Sequence, residues 1–379
     1  MNFLLSDAHL RKQEEYSYYV SKLVAPYAEE LNKQKQFPGS VLKDLAAQGY
    51  LGLPIPVEWG GQGEDFISYI LLIEELSKVC ASTGGIVAVH TSVGTFPLLY
   101  HGTEEQKKKY LNLLATGEWI GAFALTEAGA GSDASAISTK AVKDGDNYIL
   151  NGSKVFITNG GKADLYTVFA NMNPDQGYKG ITAFLLEKDT PGLTIGKSEY
   201  KMGLHSSVTT ELIMDNAVVP ANNLLGAEGR GFQVALSLLD GGRIGIGAQG
   251  LGIAGAALEL ATENLKELAV NQDQPAEYPS MLFRLADMAT ELEAARMLVY
   301  KAALKKDTGA PCTKEASMAK LLATDNAMQI ADTAVSLLGV YGGTERYIAE
   351  RLFRDAKVAQ IYEGTNQIQR MVIGRQLTK

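Results

Sequence analysis

The apolar residues of this 379-residue chain change their period twice, near residues 120 and 230, and that constrains its fold more than any other feature. Up to about residue 120 the spacing is helical. His9 to Leu31 is a charged, Tyr-rich amphipathic stretch, Gly39 to Ala47 is another, and Phe66 to Val79 resumes the pattern after breaks at Pro54-Ile55-Pro56 and Trp59-Gly60-Gly61. Thr103-Glu104-Glu105-Gln106 has capping-box spacing and opens a helix from Gln106 to Ala115. From about 121 to 230 alternation and turns take over. Asp144-Gly145 between Ser138–Val142 and Tyr148–Leu150 signals a hairpin, and β-type runs follow at Leu165–Phe169, Ile181–Leu186 and Glu211–Met214. No helix-length segment separates these runs, which predicts an antiparallel β domain and disfavours a dinucleotide-binding βαβ array. Beyond Gly231 long helices return. Leu285, Met288, Leu292, Ala295 and Val299 repeat at bundle spacing, and Met318, Leu321, Met328, Ala331, Val335 and Leu338 suggest a second helix. The expected fold is α+β and multidomain: a helical domain over 1–120, a β domain over 121–230 and a helical bundle over 231–379.

A chain of this length is too long for one ordinary core. The formal net charge of −8 disfavours a broad nucleic-acid surface, so any phosphate ligand has to be met locally by a few Lys or Arg. Cys80 and Cys312 stand far apart without metal-ligand spacing and read as free thiols. The N-terminus lacks signal-peptide character, and no apolar run approaches the roughly 20 residues of a membrane span. The expectation is a cytoplasmic protein with no membrane and no metal.

Four constellations carry chemistry. Phe123-Ala124-Leu125-Thr126-Glu127-Ala128-Gly129-Ala130-Gly131-Ser132-Asp133 ends a β-type run in a Gly-rich turn whose backbone N–H groups and hydroxyls suit an acceptor-rich ligand; an ordinary turn reads the same way. Phe156-Ile157-Thr158-Asn159-Gly160-Gly161 adds an aromatic and a second hydroxyl. Together the loops suit a flat heteroaromatic cofactor, although spacing leaves Phe156 equally at home in a β core. Asp240-Gly241-Gly242-Arg243 sets an acid and a base on one helical face, either a surface ion pair or a clamp on a phosphate-bearing ligand. Ile361-Tyr362-Glu363-Gly364-Thr365-Asn366-Gln367 puts one carboxylate between an aromatic and a glycine. By itself it reads as a polar loop capping the next helix, or as a carboxylate at the lip of a pocket.

In this order, Leu-Thr-Glu-x-x-Ala-Gly-Ser-Asp, Phe-Ile-Thr-Asn-Gly-Gly, Asp-x-Gly-Arg and Tyr-Glu-Gly-Thr-Asn resemble the acyl-CoA dehydrogenase family, most of all its short-chain (butyryl-CoA) branch. The likeness runs nearly end to end, through Gly102-Thr103-Glu104-Glu105-Gln106-Lys107 and Arg354-Asp355-Ala356-Lys357. The resemblance implies an N-terminal helical domain, a middle β domain and a C-terminal four-helix bundle, assembled as a homotetramer (or homodimer) with FAD. It implies α,β-dehydrogenation of a fatty acyl-CoA, hydride transfer to flavin N5, and electrons passed to electron-transferring flavoprotein. Carried over, Glu363 is the catalytic base. Phe123, Leu125, Thr126, Gly131, Ser132, Phe156, Ile157, Thr158, Thr365, Asn366 and Gln367 border the cofactor, and Ser132, Asp240, Arg243, Tyr362 and Gly364 meet the substrate. In that family a backbone N–H at the Glu363 position and a ribityl hydroxyl hold the thioester oxygen. Some branches carry the base on the helix of Asp240; Gly242 stands there in this chain, leaving Glu363.

Two family motifs are altered. Where Arg-x-x-Phe-Gly is usual, this chain reads Leu268-Ala269-Val270-Asn271-Gln272, and a Gln further on becomes Pro279. Gln-x-x-Gly-Gly-x-Gly reads Ser336-Leu337-Leu338-Gly339-Val340-Tyr341-Gly342. Both changes fall on residues that hold the adenosine-diphosphate half of FAD in the family. They leave two rival readings, an enzyme that holds FAD weakly or differently and a non-redox acyl-CoA-binding paralogue. An acyl-CoA oxidase is a third, disfavoured because such chains carry an added C-terminal domain.

Overall fold

The computed structural model describes residues 5–270 and 278–378 and runs helices, strands, helices. The first amphipathic stretch is two helices, α1 (Asp7–Leu23) and α2 (Ala25–Gln34). The break comes at Pro26, which sits in the first turn of α2, where a proline's missing N–H is not needed. α3 (Gly39–Ala47) and α4 (Phe66–Val79) occupy the expected spans. Between α4 and residue 103 no individual helix is predicted within the helical region, and the chain forms α5 (Ala81–Val89), a π-helical turn at His90–Thr95 and α6 (Phe96–His101). α5 and the π turn are buried throughout, and a helix without a wet face has no polar stripe to betray it. α7 (Glu104–Ala115) opens on the expected capping box: Gln106 N donates to Thr103 Oγ1 at 3.2 Å and Thr103 N to Gln106 Oε1 at 3.0 Å.

The middle region is one sheet of eight strands: β1 (Gly121–Ala124), β2 (Lys140–Asp144), β3 (Asn147–Thr158), β4 (Leu165–Asn171), β5 (Ile181–Glu187), β6 (Leu193–Ser198), β7 (Thr209–Pro220) and β8 (Leu224–Leu225). Their order is β6-β7-β3-β2-β4-β5-β8, with β1 beside β4. The hairpin closes where expected, Asp144 opposite Asn147. The sheet is not wholly antiparallel: β1 runs parallel to β4 from Gly121↔Leu165 to Ala124↔Val168. Parallel neighbours need a long connection, which the β2–β3 hairpin supplies.

The bundle is α8 (Gly231–Val270), α9 (Tyr278–Asp307), α10 (Thr313–Leu337) and α11 (Ala349–Ala359), with α12 (Asn366–Leu377) packed on α10. By length and composition α8 is apolar enough to cross a membrane, contrary to the sequence expectation. It is instead mostly buried, packed against α4, α5, α9 and α10. Its glycines make that packing close: a Cβ on Gly250 would lie 2.9 Å from Ala323 O of α10, and one on Gly252 2.4 Å from Glu74 O of α4. That close approach also corrects the expected seam of α10. Ala331 and Leu338 are buried as expected, but Met318, Leu321, Met328 and Val335 are only half-buried, whereas Ala316, Ala319, Ala323, Ala327 and Ala334 are buried, because small side chains fit against the glycine face. The middle region docks on the bundle through Leu204 N, which donates to the buried Asp355 carboxylate at 2.6 Å. Burial lifts that carboxyl to about 6. Cys80 and Cys312 are both free and buried.

Candidate active site

α11 ends at Ala359 and α12 begins at Asn366, so the chain must reverse within a few residues, and Glu363 sits in that reversal. Its φ is +54° and that of Gly364 is +86°, consecutive left-handed residues of which only the second is a glycine. A strained non-glycine residue points to a constraint from function. Gln369 Nε2 donates to Glu363 O at 3.3 Å and to Gly364 O at 3.0 Å, and Lys320 Nζ donates to Gly364 O at 2.9 Å. With both carbonyls held this way, the N–H groups of Glu363 and Gly364 have no hydrogen-bond partner among the described residues. They are donors ready for a ligand oxygen.

The Glu363 side chain is half-buried and enters no ion pair among the described residues. It leans on α8 at a glycine: a Cβ on Gly242 would lie 2.8 Å from Glu363 Oε2. Burial pushes the Glu363 carboxyl above the usual carboxylate range, and the charges of Arg243 and Lys320 only partly offset it. Tyr362 OH donates to Gln249 Oε1 at 2.7 Å, and Gln249 Nε2 donates to Ala81 O at 2.7 Å, a buried polar bridge from the base loop across α8 to α5. Gly85 makes room for it, since a Cβ there would meet Gln249 Nε2 at 2.8 Å.

Asp240 and Arg243 do share a face, but deep inside α8, which begins nine residues before Asp240, and not at a helix start. Arg243 is buried, with Asp240 Oδ1 at 3.3 Å, Ser317 Oγ at 3.4 Å and no partner for Nε among the described residues. Asp240 Oδ2 is taken by Thr313 Oγ1 at 2.7 Å. Asp240 holds the Arg243 guanidinium, whose positive charge favours the ionised form of Glu363. The side chain of Asn366, expected at the cofactor, is hydrogen-bonded within the protein. It is buried, its Oδ1 takes Lys320 Nζ at 2.8 Å and its Nδ2 reaches Asp325 Oδ1 at 2.7 Å, so its side chain fastens the loop to α10. Thr365 caps α12 through Ile368 N at 3.3 Å, and Gln367 is exposed.

The two loops of the β region lie side by side, joined by Val155 N to Thr126 O at 2.9 Å. Below them Glu127 accepts from Lys154 Nζ at 2.7 Å, Ser138 N at 2.6 Å and Thr139 N at 3.0 Å. Burial works against the Glu127 charge, yet the hydrogen bonds from Lys154 and Thr139 carry its pKa down to about 2. Leu125 and Ile157 are buried, so only their backbones can serve a ligand, and Phe123 packs on Phe169 at 4.9 Å. Thr126 and Thr158 are half-buried, and Gly131 and Ser132 are exposed. A Cβ on Gly129 or Gly131 would meet open space. Phe156 is not a core residue: a bulge in the β3–β7 pairing between Lys154 and Ile157 sets it at φ +58° with 63% of its surface exposed. A strained aromatic standing free beside two hydroxyl-bearing loops fits one flat face of a flavin.

The residues expected at the diphosphate half offer no charge. Leu268 is half-buried near the end of α8, Ser336 returns its hydroxyl to Asp332 O, and Val340 is 84% exposed. Asn271 and Gln272 lie outside the described residues. Sequence reading missed Lys320, Gln249 and Gln369. The available signal for Lys320 was a single cation on the alanine stripe of α10.

Family models for the acyl-CoA dehydrogenase N-terminal, middle and C-terminal domains match residues 6–118, 122–217 and 229–378. The chain is 54% identical over 359 residues to an acyl-CoA dehydrogenase of Bacillus subtilis, covering 95% of each. Among solved structures it is similar to the butyryl-CoA dehydrogenase of Megasphaera elsdenii, with a TM-score of 0.95 and 45% identity. It is also similar to a chain from work on the electron transferring flavoprotein of Acidaminococcus fermentans, with a TM-score of 0.96 and 47% identity. Each comparison spans all of both chains.

Proposed function

The chain belongs to the acyl-CoA dehydrogenase family, and we propose that it converts a short-chain acyl-CoA to the trans-2-enoyl-CoA with Glu363 as the base and FAD as cofactor. The observation that carries this reading is the carboxylate itself: half-buried, without an ion pair among the described residues, on a left-handed turn and seated against Gly242. The carbon beside a thioester is a weak acid, so its base must be stronger than a solvated Glu, which is the direction in which burial moves Glu363. The unpartnered N–H groups of Glu363 and Gly364 are suited to the thioester oxygen as enolate character develops. The charge of Arg243 favours the ionised base and partly offsets the effect of burial. Thr126, Gly131, Ser132, Phe156, Thr158 and Thr365 would hold the flavin half of the cofactor. FAD, when bound, supplies the acceptor for the hydride that leaves the β-carbon. Electron transferring flavoprotein is the proposed electron acceptor, supported by the Acidaminococcus neighbour. The exposed Phe283 and Val340 support assembly with further copies of the chain. Anaerobic addition of butyryl-CoA to the purified yellow protein should bleach its flavin absorbance; a flavin that stays oxidised would overturn the assignment.

The bridge from Ala81 through Gln249 to Tyr362 would close the acyl space beyond the base, favouring short chains. Gln249→Ala should raise the kcat/KM ratio of octanoyl- over butyryl-CoA by about tenfold or more, since each added buried methylene is worth roughly 1–3 kcal/mol. It should also lower the melting temperature, because Ala81 O and Tyr362 OH lose their partners. An unchanged ratio would remove Gln249 from the specificity argument.

The altered motifs predict weak FAD. A partly buried Arg–phosphate contact is worth roughly 2–5 kcal/mol, so affinity should be about 30-fold or more below that of an enzyme that keeps it. Excess FAD should raise the melting temperature, and Leu268→Arg should tighten binding in a titration of the apoprotein. Tight FAD binding by the unaltered chain would show that another group holds the diphosphate.

A further inference from the structure

Lys320 is the least expected charge in the bundle. It lies on the alanine face of α10, between Ala316, Ala319, Ala323 and Ala327, and none of its surface reaches solvent. It forms no ion pair among the described residues; its ammonium donates to Gly364 O at 2.9 Å and Asn366 Oδ1 at 2.8 Å. Burying an ammonium with neutral partners is strongly unfavourable, and a Met would fill the same volume without that penalty. The carboxylate that most favours the Lys320 charge is Glu363; Asp325 on the same helix contributes less, and Arg243 opposes it. Neither Lys320 nor Glu363 has an ion-pair partner among the described residues, and Lys320 Nζ holds the carbonyl of Gly364, the residue next to Glu363.

We propose that Lys320 is a positioning residue for the base. By gripping Gly364 O it holds the Glu363–Gly364 turn in its left-handed conformation, and its buried positive charge behind that turn keeps the Glu363 carboxylate ionised. The inference rests on Glu363 being the base. Burial draws the Lys320 ammonium down to about 7 and pushes the Glu363 carboxyl up, and the charge of each group opposes that shift in the other. The remaining groups around Glu363 are Arg243 from α8, which acts in the same sense as Lys320, Tyr69 from α4 and Tyr362 of the turn itself. α12 contributes the neutral amide of Gln369.

The test is a double-mutant cycle with a kinetic arm. Thermal unfolding is measured for the wild type, Lys320→Gln, Glu363→Gln and the double variant, each saturated with FAD. Lys320→Gln should lower the melting temperature less when Glu363 is already neutral, because the coupling between the two has gone. In folded Lys320→Gln, the acidic limb of kcat against pH with butyryl-CoA should move up by about one unit. Equal losses in both backgrounds, unfolding in both, or a limb that stays in place overturns the proposal. If Lys320→Gln folds only when Glu363 is also neutral, the cycle alone upholds it. The cycle needs no turnover, so failure of the wild type to dehydrogenate butyryl-CoA would refute the base assignment separately.

Discussion

Glu363→Gln is expected to lower turnover of butyryl-CoA by a factor on the order of 10³, within the range general bases contribute, while the fold and CoA-ester binding stand. The amide keeps the shape that fits against Gly242 and removes only the ability to take a proton. The sign of its effect on stability follows from the raised carboxyl pKa. Above the ordinary value of 4.5 the unfolded chain has released the proton while the folded chain still holds it, so stability falls as pH rises through that window. At neutral pH the charged Glu363 is therefore a burden on the fold, and Glu363→Gln should melt no lower than the wild type. A dye-linked reduction assay and a melting curve at neutral pH check both halves. Residual activity within about tenfold of wild type would remove Glu363 as the base. For the wild type, the acidic limb of kcat/KM should lie above the range of solvated carboxylates.

The chain disclosed its fold where one face of an element is wet. Phe66–Val79 and Gly39–Ala47 were legible to the residue, and the two-residue hairpin turn fixed β2 against β3. Ala81–Thr95 was not legible, because Ala-Ser-Thr-Gly-Gly-Ile-Val-Ala-Val has no polar face, and its two glycines and its β-branched residues disfavour a helix that the surrounding core nonetheless supports. The seam of α10 was misjudged for a related reason. Side-chain size favours Met318 and Leu321, but the glycines of α8 admit only the alanine face. At the site, the order of motifs identified the base loop, since a glycine after a lone carboxylate marks a strained turn. Spacing could say that Asp240 and Arg243 share a face, but not whether that face points inward; the structure buries Arg243. Lys320 escaped because a Lys on a helix ordinarily reads as solvated.

Gly242→Ala separates the geometry of the base from the stability of the scaffold, because the two should move in opposite directions. Gly242 lies inside α8 with ordinary helical backbone, where exchanging Gly for Ala gains about 0.5–1 kcal/mol of helix propensity. The new methyl would stand 2.8 Å from Glu363 Oε2 and 3.2 Å from its carboxyl carbon, closer than real contacts allow. The group that yields is the end of the Glu363 side chain and not backbone, so the helix survives and the carboxylate moves. A displacement of about 1 Å at a reacting group can lower the rate on the order of 10²-fold. The expected result is a melting temperature equal to or above wild type, unchanged FAD content and kcat reduced by about that factor. Gly255→Ala is the matched control on the same helix: its methyl would meet only Lys78 Cε at 3.6 Å, an ordinary contact, so it should gain the same stability and keep full activity. If Gly242→Ala retained full kcat, the carboxylate would not need its seat against α8, and the placement of the base argued from that glycine would fail. If both variants lost activity equally, the loss would belong to stiffening of α8 and not to the base.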